Sequence, residues 1–267
     1  MRTMQAAAEP DATWVLLRGM LRESGHWGAF ATRLQTAVAP ARVLVLNAPG
    51  CGSLHAQRSP GNIADLVQAL RAQLLQLNAQ PPYHLLALSM GAMAAAYWSQ
   101  NHPQEVAEQV WINTSMRPFN AMQQRLRPQN YLPLLRLLQP GTRAQDWETT
   151  LWRLTSHLSD AGVVADWLVL RRAHPVSRAN ALRQLWAAAH FRAGTTAPAC
   201  PTLLLASTQD ALVDVACSRA IAAAWQLPLL EHPRAGHDLP LDDGPWVVAQ
   251  VQRWRKTPHC VTVLSSN

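Results

Sequence analysis

The 267-residue chain is poor in charge and almost devoid of lysine: 15% of its residues are Asp, Glu, Lys or Arg, and Lys256 stands alone beside 22 arginines. It has no Lys/Arg-rich run, no zinc-finger spacing and no aromatic nucleic-acid signature, which argues against a nucleic-acid partner. Four cysteines, Cys51, Cys200, Cys217 and Cys260, are scattered without a C-x-x-C pair or histidines at metal-ligand intervals. Neither a disulfide framework nor a zinc site is expected from them. No segment approaches the ~18 uninterrupted apolar residues of a membrane span, and residues 1–10 lack the apolar core of a signal peptide. The expectation is a cytoplasmic protein with no stable membrane insertion.

What the chain has in quantity is apolar side chains, 49% of the total, which excludes a disordered chain and allows a large core in one or two domains. The net charge of +7 is unevenly placed. Between Arg117 and Thr195 there are 11 arginines against four acids, Asp146, Glu148, Asp160 and Asp166, so that this segment holds the entire excess.

Short β-branched or leucine-rich runs alternate with helical patterns, as expected for a parallel sheet covered on both faces. Strands are predicted at about 13–17, 42–46, 84–88, 110–113, 202–206 and 227–231. A helix is expected over 26–38 with Ser24 as a candidate cap. Ser59-Pro60 is expected to open another, carried by Ile63, Leu66, Val67, Leu70, Leu74 and Leu77 at the 3.6 period. From 117 to 195 this rhythm stops and Leu, Trp and Arg recur at helical spacing. The segment reads as a helical insertion, leaving 1–116 and 196–267 as the core. The tail from Thr257 is expected to be loosely held.

The chemistry centres on Ala87-Leu88-Ser89-Met90-Gly91, between a strand and a small-residue helix. A serine hydroxyl is a poor nucleophile and must stand free on a tight turn where a base can reach it, with small neighbours that let strand and helix approach. The plain alternative is a helix-capping serine. The candidate base is His237, in a glycine-preceded loop after the last strand, with His232 a rival abutting that strand. The candidate orienting acid is Asp210, just beyond 202–206, with Asp214 its rival; either could instead cap the next helix.

With the order Ser89, Asp210, His237, the turn Leu17-Arg18-Gly19-Met20 and the loop Asn47-Ala48-Pro49-Gly50-Cys51-Gly52, the sequence resembles α/β-hydrolases of the serine esterase/lipase type over nearly its whole length. The resemblance implies a mostly parallel sheet of about six strands flanked by helices, with 117–195 as a lid. It also implies Ser89 as nucleophile, His237 as general base and then acid, Asp210 holding the imidazole, and the N–H groups of Met20 and Met90 as the oxyanion hole. No cofactor and no metal is called for. The pattern departs from the family at Ala87, which is still small, at Arg18, where a histidine is usual, and at Asn47, where an aspartate is usual. Arg18 is expected to reorganise the oxyanion turn or to face an anionic group.

A serine at the elbow excludes the relatives that use aspartate to form an ester intermediate, and leaves acyl transfer to water. Carboxylesterase action on a small-molecule ester is the first reading. The second is hydrolysis of an acyl group carried by an acidic carrier protein recruited by the basic lid, and a third, of another class, is a receptor that kept the fold and lost turnover. The tryptophans of the insertion, Trp147, Trp152, Trp167 and Trp186, suit either an acyl pocket or the lid's own core. Cys51 reads as a small buried hydrophobe rather than a second nucleophile, and Trp27, beside His26, as a packing residue or pocket wall. Asp238, Asp242 and Asp243 cluster only in one dimension, the last two placed to charge the start of the final helix.

Overall fold

The computed structural model describes residues 12–257; the readings made for residues 1–10, for the tail beyond 257 and for Cys260 lie outside the described residues. Six strands, β1 (Thr13–Leu17), β2 (Arg42–Val45), β3 (Tyr83–Leu88), β4 (Val106–Ile112), β5 (Thr202–Ser207) and β6 (Leu229–His232), form one sheet in the order β2-β1-β3-β4-β5-β6. Every pairing is parallel. The centre of the sheet is apolar on both faces because side chains alternate, and each face meets helices. Val15, Leu17, Leu85, Ala87, Trp111 and Leu204 pack on one side, and Trp14, Leu16, Leu86, Leu88, Val110 and Leu205 on the other.

The first face is covered by α2 (Ile63–Gln76), α3 (Met90–Asn101) and α9 (Ala216–Trp225), the second by α1 (Ala29–Val38) and α10 (Leu239–Lys256). Between β4 and β5 the chain makes five helices: α4 (Met122–Arg125), α5 (Tyr131–Leu137), α6 (Ala144–Thr155), α7 (Val163–Ala173) and α8 (Arg178–His190). Among the described residues no helix is long and apolar enough to cross a membrane.

Two helix starts differ from the sequence expectation. Residues 24–27 form a separate 3-10 turn and α1 begins only at Ala29, since Gly28 at φ 48° breaks the run. The Ser59-Pro60 start moves to Ile63: Asn62 caps the Asp65 amide at 2.8 Å, while the Ser59 hydroxyl turns inward to the Pro49 carbonyl. The last helix, Leu239–Lys256, is broken at Asp243 (φ −148°, ψ 67°), just before Pro245.

In the register of the sheet, Leu17 lies beside Ala87, Leu88 beside Ile112 and Ser207 beside His232, so the loops following the strands open on one edge. The chain leaves β1 toward β2 on one side and returns to β3 on the other. That reversal makes a crevice at the carboxyl ends of β1 and β3, the place where open parallel sheets bind ligands.

Candidate active site

Ser89 sits in this crevice, directly after β3, with φ 56° and ψ −116°. A non-glycine residue held there costs about 1–3 kcal/mol and needs surrounding structure to enforce it. Its amide donates to the Ile112 carbonyl at 2.9 Å, and its own carbonyl accepts from the Thr114 hydroxyl at 3.2 Å and the Ala92 amide at 3.0 Å. Gly91 permits the turn: a Cβ there would lie 2.4 Å from the Leu17 carbonyl oxygen and 2.7 Å from that of Arg18. The sharp turn leaves the Ser89 side chain half-buried, its hydroxyl without a hydrogen-bond partner among the described residues.

His237 lies on the loop after β6 and is buried, with Nδ1 2.6 Å from Asp210 Oδ2. Asp210 follows β5, and its other oxygen accepts from the amides of Leu212 (2.8 Å) and Val213 (2.9 Å), which fixes the carboxylate toward the imidazole. An Nδ1–H donated to that carboxylate leaves the lone pair on Nε2. The rivals are engaged elsewhere. Asp214 accepts from the Ala216 amide and faces Arg127 at 3.6 Å, and His232 pairs through Nε2 with Asp243 at 3.1 Å.

A residue that the sequence reading missed joins the two halves. Asn113, next after Ile112, has φ 46°; its Nδ2 donates to the His237 carbonyl at 2.8 Å and to that of Gly236 at 3.2 Å, and its Oδ1 accepts from the Ser207 amide. One dipeptide, Ile112-Asn113, therefore grips both the serine turn and the histidine loop. The available signal was an asparagine ending a strand run, since Asn tolerates positive φ better than most residues.

The third part is the turn after β1. A Cβ on Gly19 would be 3.3 Å from Ser89 Cβ, so the Gly19-Met20 turn lies against the serine, while Met90 opens α3, whose first N–H groups have no partner within the helix. The next residue, Leu21 (φ 64°), donates its amide to Gln184 Oε1 of α8 at 2.8 Å, and Gln184 Nε2 donates to Ser59 Oγ at 3.0 Å and Cys51 Sγ at 3.2 Å. Cys51 is 1% exposed, and burial pushes its thiol up to about 11, which disfavours the reactive thiolate form.

The Arg18 departure also has a structural outcome. Its guanidinium is buried and forms a two-pronged ion pair with Asp238, so the residue before Gly19 is bonded to the residue after His237. Arg18 also lies 4.7 Å over the ring of Trp27, which is 3% exposed and stacks on Phe30. The other two aspartates of that stretch serve different elements. Asp243 caps the Trp246 amide at 3.0 Å, whereas Asp242 accepts from the amides of Gly236 (2.7 Å), His157 (2.9 Å), Leu158 (3.2 Å) and Ser159 (3.2 Å). Asp242 is thus a clasp between the helices that follow β4 and the histidine loop, beyond the helix-charging part expected for it. Among the described residues no group of three or more His, Cys, Asp or Glu is placed to hold a metal ion.

The family model for the alpha/beta hydrolase family matches residues 14–250. The chain belongs to that family. Among solved structures it is similar to a thermophilic esterase from Thermogutta terrifontis, at 19% identity with a TM-score of 0.71 over 92% of this chain and 89% of that one. A hydrolase from Pseudomonas aeruginosa PA01 matches at 16% identity and TM-score 0.72 over 92% and 90% of the two chains. Esterase RhEst1 from Rhodococcus sp. ECU1013 matches at 17% and 0.70 over 91% and 90%. At these identities the likeness is one of fold. No curated protein sequence matches the chain.

Proposed function

We propose that this alpha/beta hydrolase cleaves small-molecule carboxylic esters through an acyl-enzyme, in the cytoplasm and without a cofactor, with 117–195 as a cap over the reacting edge. The observation that carries the reading is the buried 2.6 Å His237–Asp210 pair, on a loop tied through Asn113 to the strained Ser89 turn. In this reading His237 Nε2 takes the Ser89 proton as Oγ attacks the ester carbonyl. The carbonyl π electrons move onto oxygen, where the Met20 and Met90 N–H groups stabilise the charge. Collapse of the tetrahedral adduct breaks the bond to the alkoxy group, which leaves with the proton held by His237. Water, deprotonated by the same imidazole, then releases the acid and restores Ser89. Asp210 stays ionised and stabilises the imidazolium at each proton transfer.

The test is a p-nitrophenyl ester panel of rising chain length, combined with fluorophosphonate labelling. The wild-type protein is expected to show a burst of p-nitrophenol and to be labelled at Ser89. Ser89→Ala and His237→Ala are expected to abolish turnover with an unchanged circular dichroism spectrum. Asp210→Asn should lower kcat by roughly 10²–10⁴, as loss of the correct imidazole tautomer does elsewhere, and Asp214→Asn should have far less effect. Equal losses in the two aspartate variants would reassign the orienting acid; a folded protein with neither labelling nor burst would overturn the esterase reading and favour the receptor one.

A further inference from the structure

A helix on a water-facing surface ordinarily turns its large apolar side chains to the core. In α8 the pattern is inverted. Its buried side holds Asn180, Ala181, Gln184 and Ala187, whereas Leu182, Leu185 and Trp186 are 53%, 36% and 61% exposed. The inward half is explained by hydrogen bonds, Asn180 to the Ser59 amide and Gln184 to the Leu21 amide and the Ser59 hydroxyl. The outward half serves no contact within the protein.

The same holds for α5, which buries Leu137 and leaves Leu132 and Leu135, 56% and 61% exposed, one turn apart. The two helices share one surface. Arg178, at the start of α8, donates to the Gln139 carbonyl just past α5 at 2.9 Å, and Arg125, shortly before α5, donates to the Ala188 and Ala189 carbonyls near the end of α8. They therefore lie alongside each other in opposite directions. Of the 12 large apolar side chains exposed among the described residues, nine fall between positions 117 and 195, so the apolar exposure is concentrated as the charge is.

That charge has one sign. The stretches 117–145 and 167–195, which contain α5 and α8, hold ten arginines and no Asp or Glu. Arg143 and Arg171 are answered by Asp146 and Glu148 of the intervening stretch. Among the described residues no carboxylate is paired with Arg136 or Arg178, which stand four residues from Leu132 and Leu182 and so on the same stripes. A second copy seated on this face would set arginine against arginine with no acid to answer it, so the charge calls for an anionic occupant. Leucine and tryptophan rimmed by arginine is the composition of helices that lie in the headgroup region of a bilayer, with the apolar side chains among the acyl chains and the guanidinium groups at the phosphates.

We infer that the outward faces of α5 and α8 form a docking surface for a bilayer that contains anionic lipid. The inference gives the protein a place to work and does not depend on the esterase reading.

The experiment is flotation of the full chain with vesicles of phosphatidylcholine alone and with phosphatidylglycerol mixed in. Partition onto the mixed vesicles is expected to be at least roughly 10-fold stronger than onto the neutral ones and to weaken as salt rises. Trp186→Ser and Leu135→Ser, on different helices, should each lower it roughly 10-fold, and Arg136→Gln and Arg178→Gln about five-fold each. All four are surface changes that should leave the circular dichroism spectrum unaltered. Absence of partition, equal partition onto both kinds of vesicle, or partition that survives these substitutions would overturn the inference. So would a dimer that Trp186→Ser dissociates in a protein that ignores vesicles, which would give the face to a second copy, or binding of soluble polyglutamate in place of vesicles, which would give it to an acidic protein. Ester hydrolysis takes no part in the readout, so either reading can fail and leave the other standing.

Discussion

The sheet and the seam along the helices between β4 and β5 are held by different physics. In the sheet, side chains such as Val15, Leu16, Leu85, Leu86, Val110 and Leu204 are wholly buried, and their attraction is non-directional burial of apolar surface. Along the seam the contacts are polar and directional: Arg22 with Glu148, Asp242 with the 157–159 amides, Gln184 with the Leu21 amide, and Asn180 Oδ1 with the Ser59 amide at 2.9 Å. Apolar packing tolerates small shifts of one layer over another. Hydrogen bonds do not, and a buried ion pair adds little net stability while it specifies a geometry. The lesson is that the core sets whether the protein folds, and the seam sets where Met20 and His237 stand once it has.

The largest expected effect tests the first half of that contrast. Leu85→Ala, in the middle of β3 with no exposed surface, should cost about 3–5 kcal/mol by loss of transfer energy and creation of a cavity. Denaturant melts should show the whole loss, and kcat below the transition should stay close to wild type. A large fall in kcat at full folding would mean that core and site are not separable.

That division also decides how much the sequence could reveal. The strand runs, their buried character and the order Ser89, Asp210, His237 are local signals, because hydrophobic periodicity and turn chemistry are read within a few residues. Boundaries slipped where one side chain was used at long range, as when Ser59 turned to Pro49 instead of capping α2. The seam was illegible for the same reason. Arg18 was recognisable as a departure, but its partner Asp238 lies 220 positions away, and Gln184 reaches Leu21 across 163. Nothing in the composition of α6 to α8 says which of their polar side chains turn inward. Trp147 and Trp167 lie buried beneath guanidinium groups, while Trp186 on the same segment is 61% exposed.

A smaller effect with a different readout is expected at the clasp. Asp242→Asn keeps the shape of the side chain and removes the charge that four amides share, a change of about 1.5–3 kcal/mol in local interaction. Because Gly236 adjoins His237 and the 157–159 amides lie between α6 and α7, kcat should fall more than KM rises. Limited proteolysis near 157–160 should accelerate while the midpoint of global unfolding moves little. If the melting curve shifts and kcat does not, the clasp is ordinary scaffolding and the contrast between core and seam fails there.

The mildest test uses pH and reads the seam alone. His26 is buried among Arg22, Arg18 and Arg171, with the Arg22 guanidinium 2.9 Å from Nε2 and the Glu23 amide donating to Nδ1 at 3.1 Å. Burial first, and the arginines second, hold its folded pKa well below the ordinary 6.5. The folded state therefore binds fewer protons than the unfolded one just below that value, so the stability this histidine contributes is complete above it and declines as pH falls. The slope is at most about 1.4 kcal/mol per pH unit. Other histidines sit beside carboxylates, so the measurement is the difference in melting temperature between wild type and His26→Gln from about pH 7.5 to 5.5. The wild-type curve should fall away more steeply on the acid side. Parallel curves would mean that protonation of His26 is accommodated without cost, and that the seam's charges are less tightly fixed than their geometry implies.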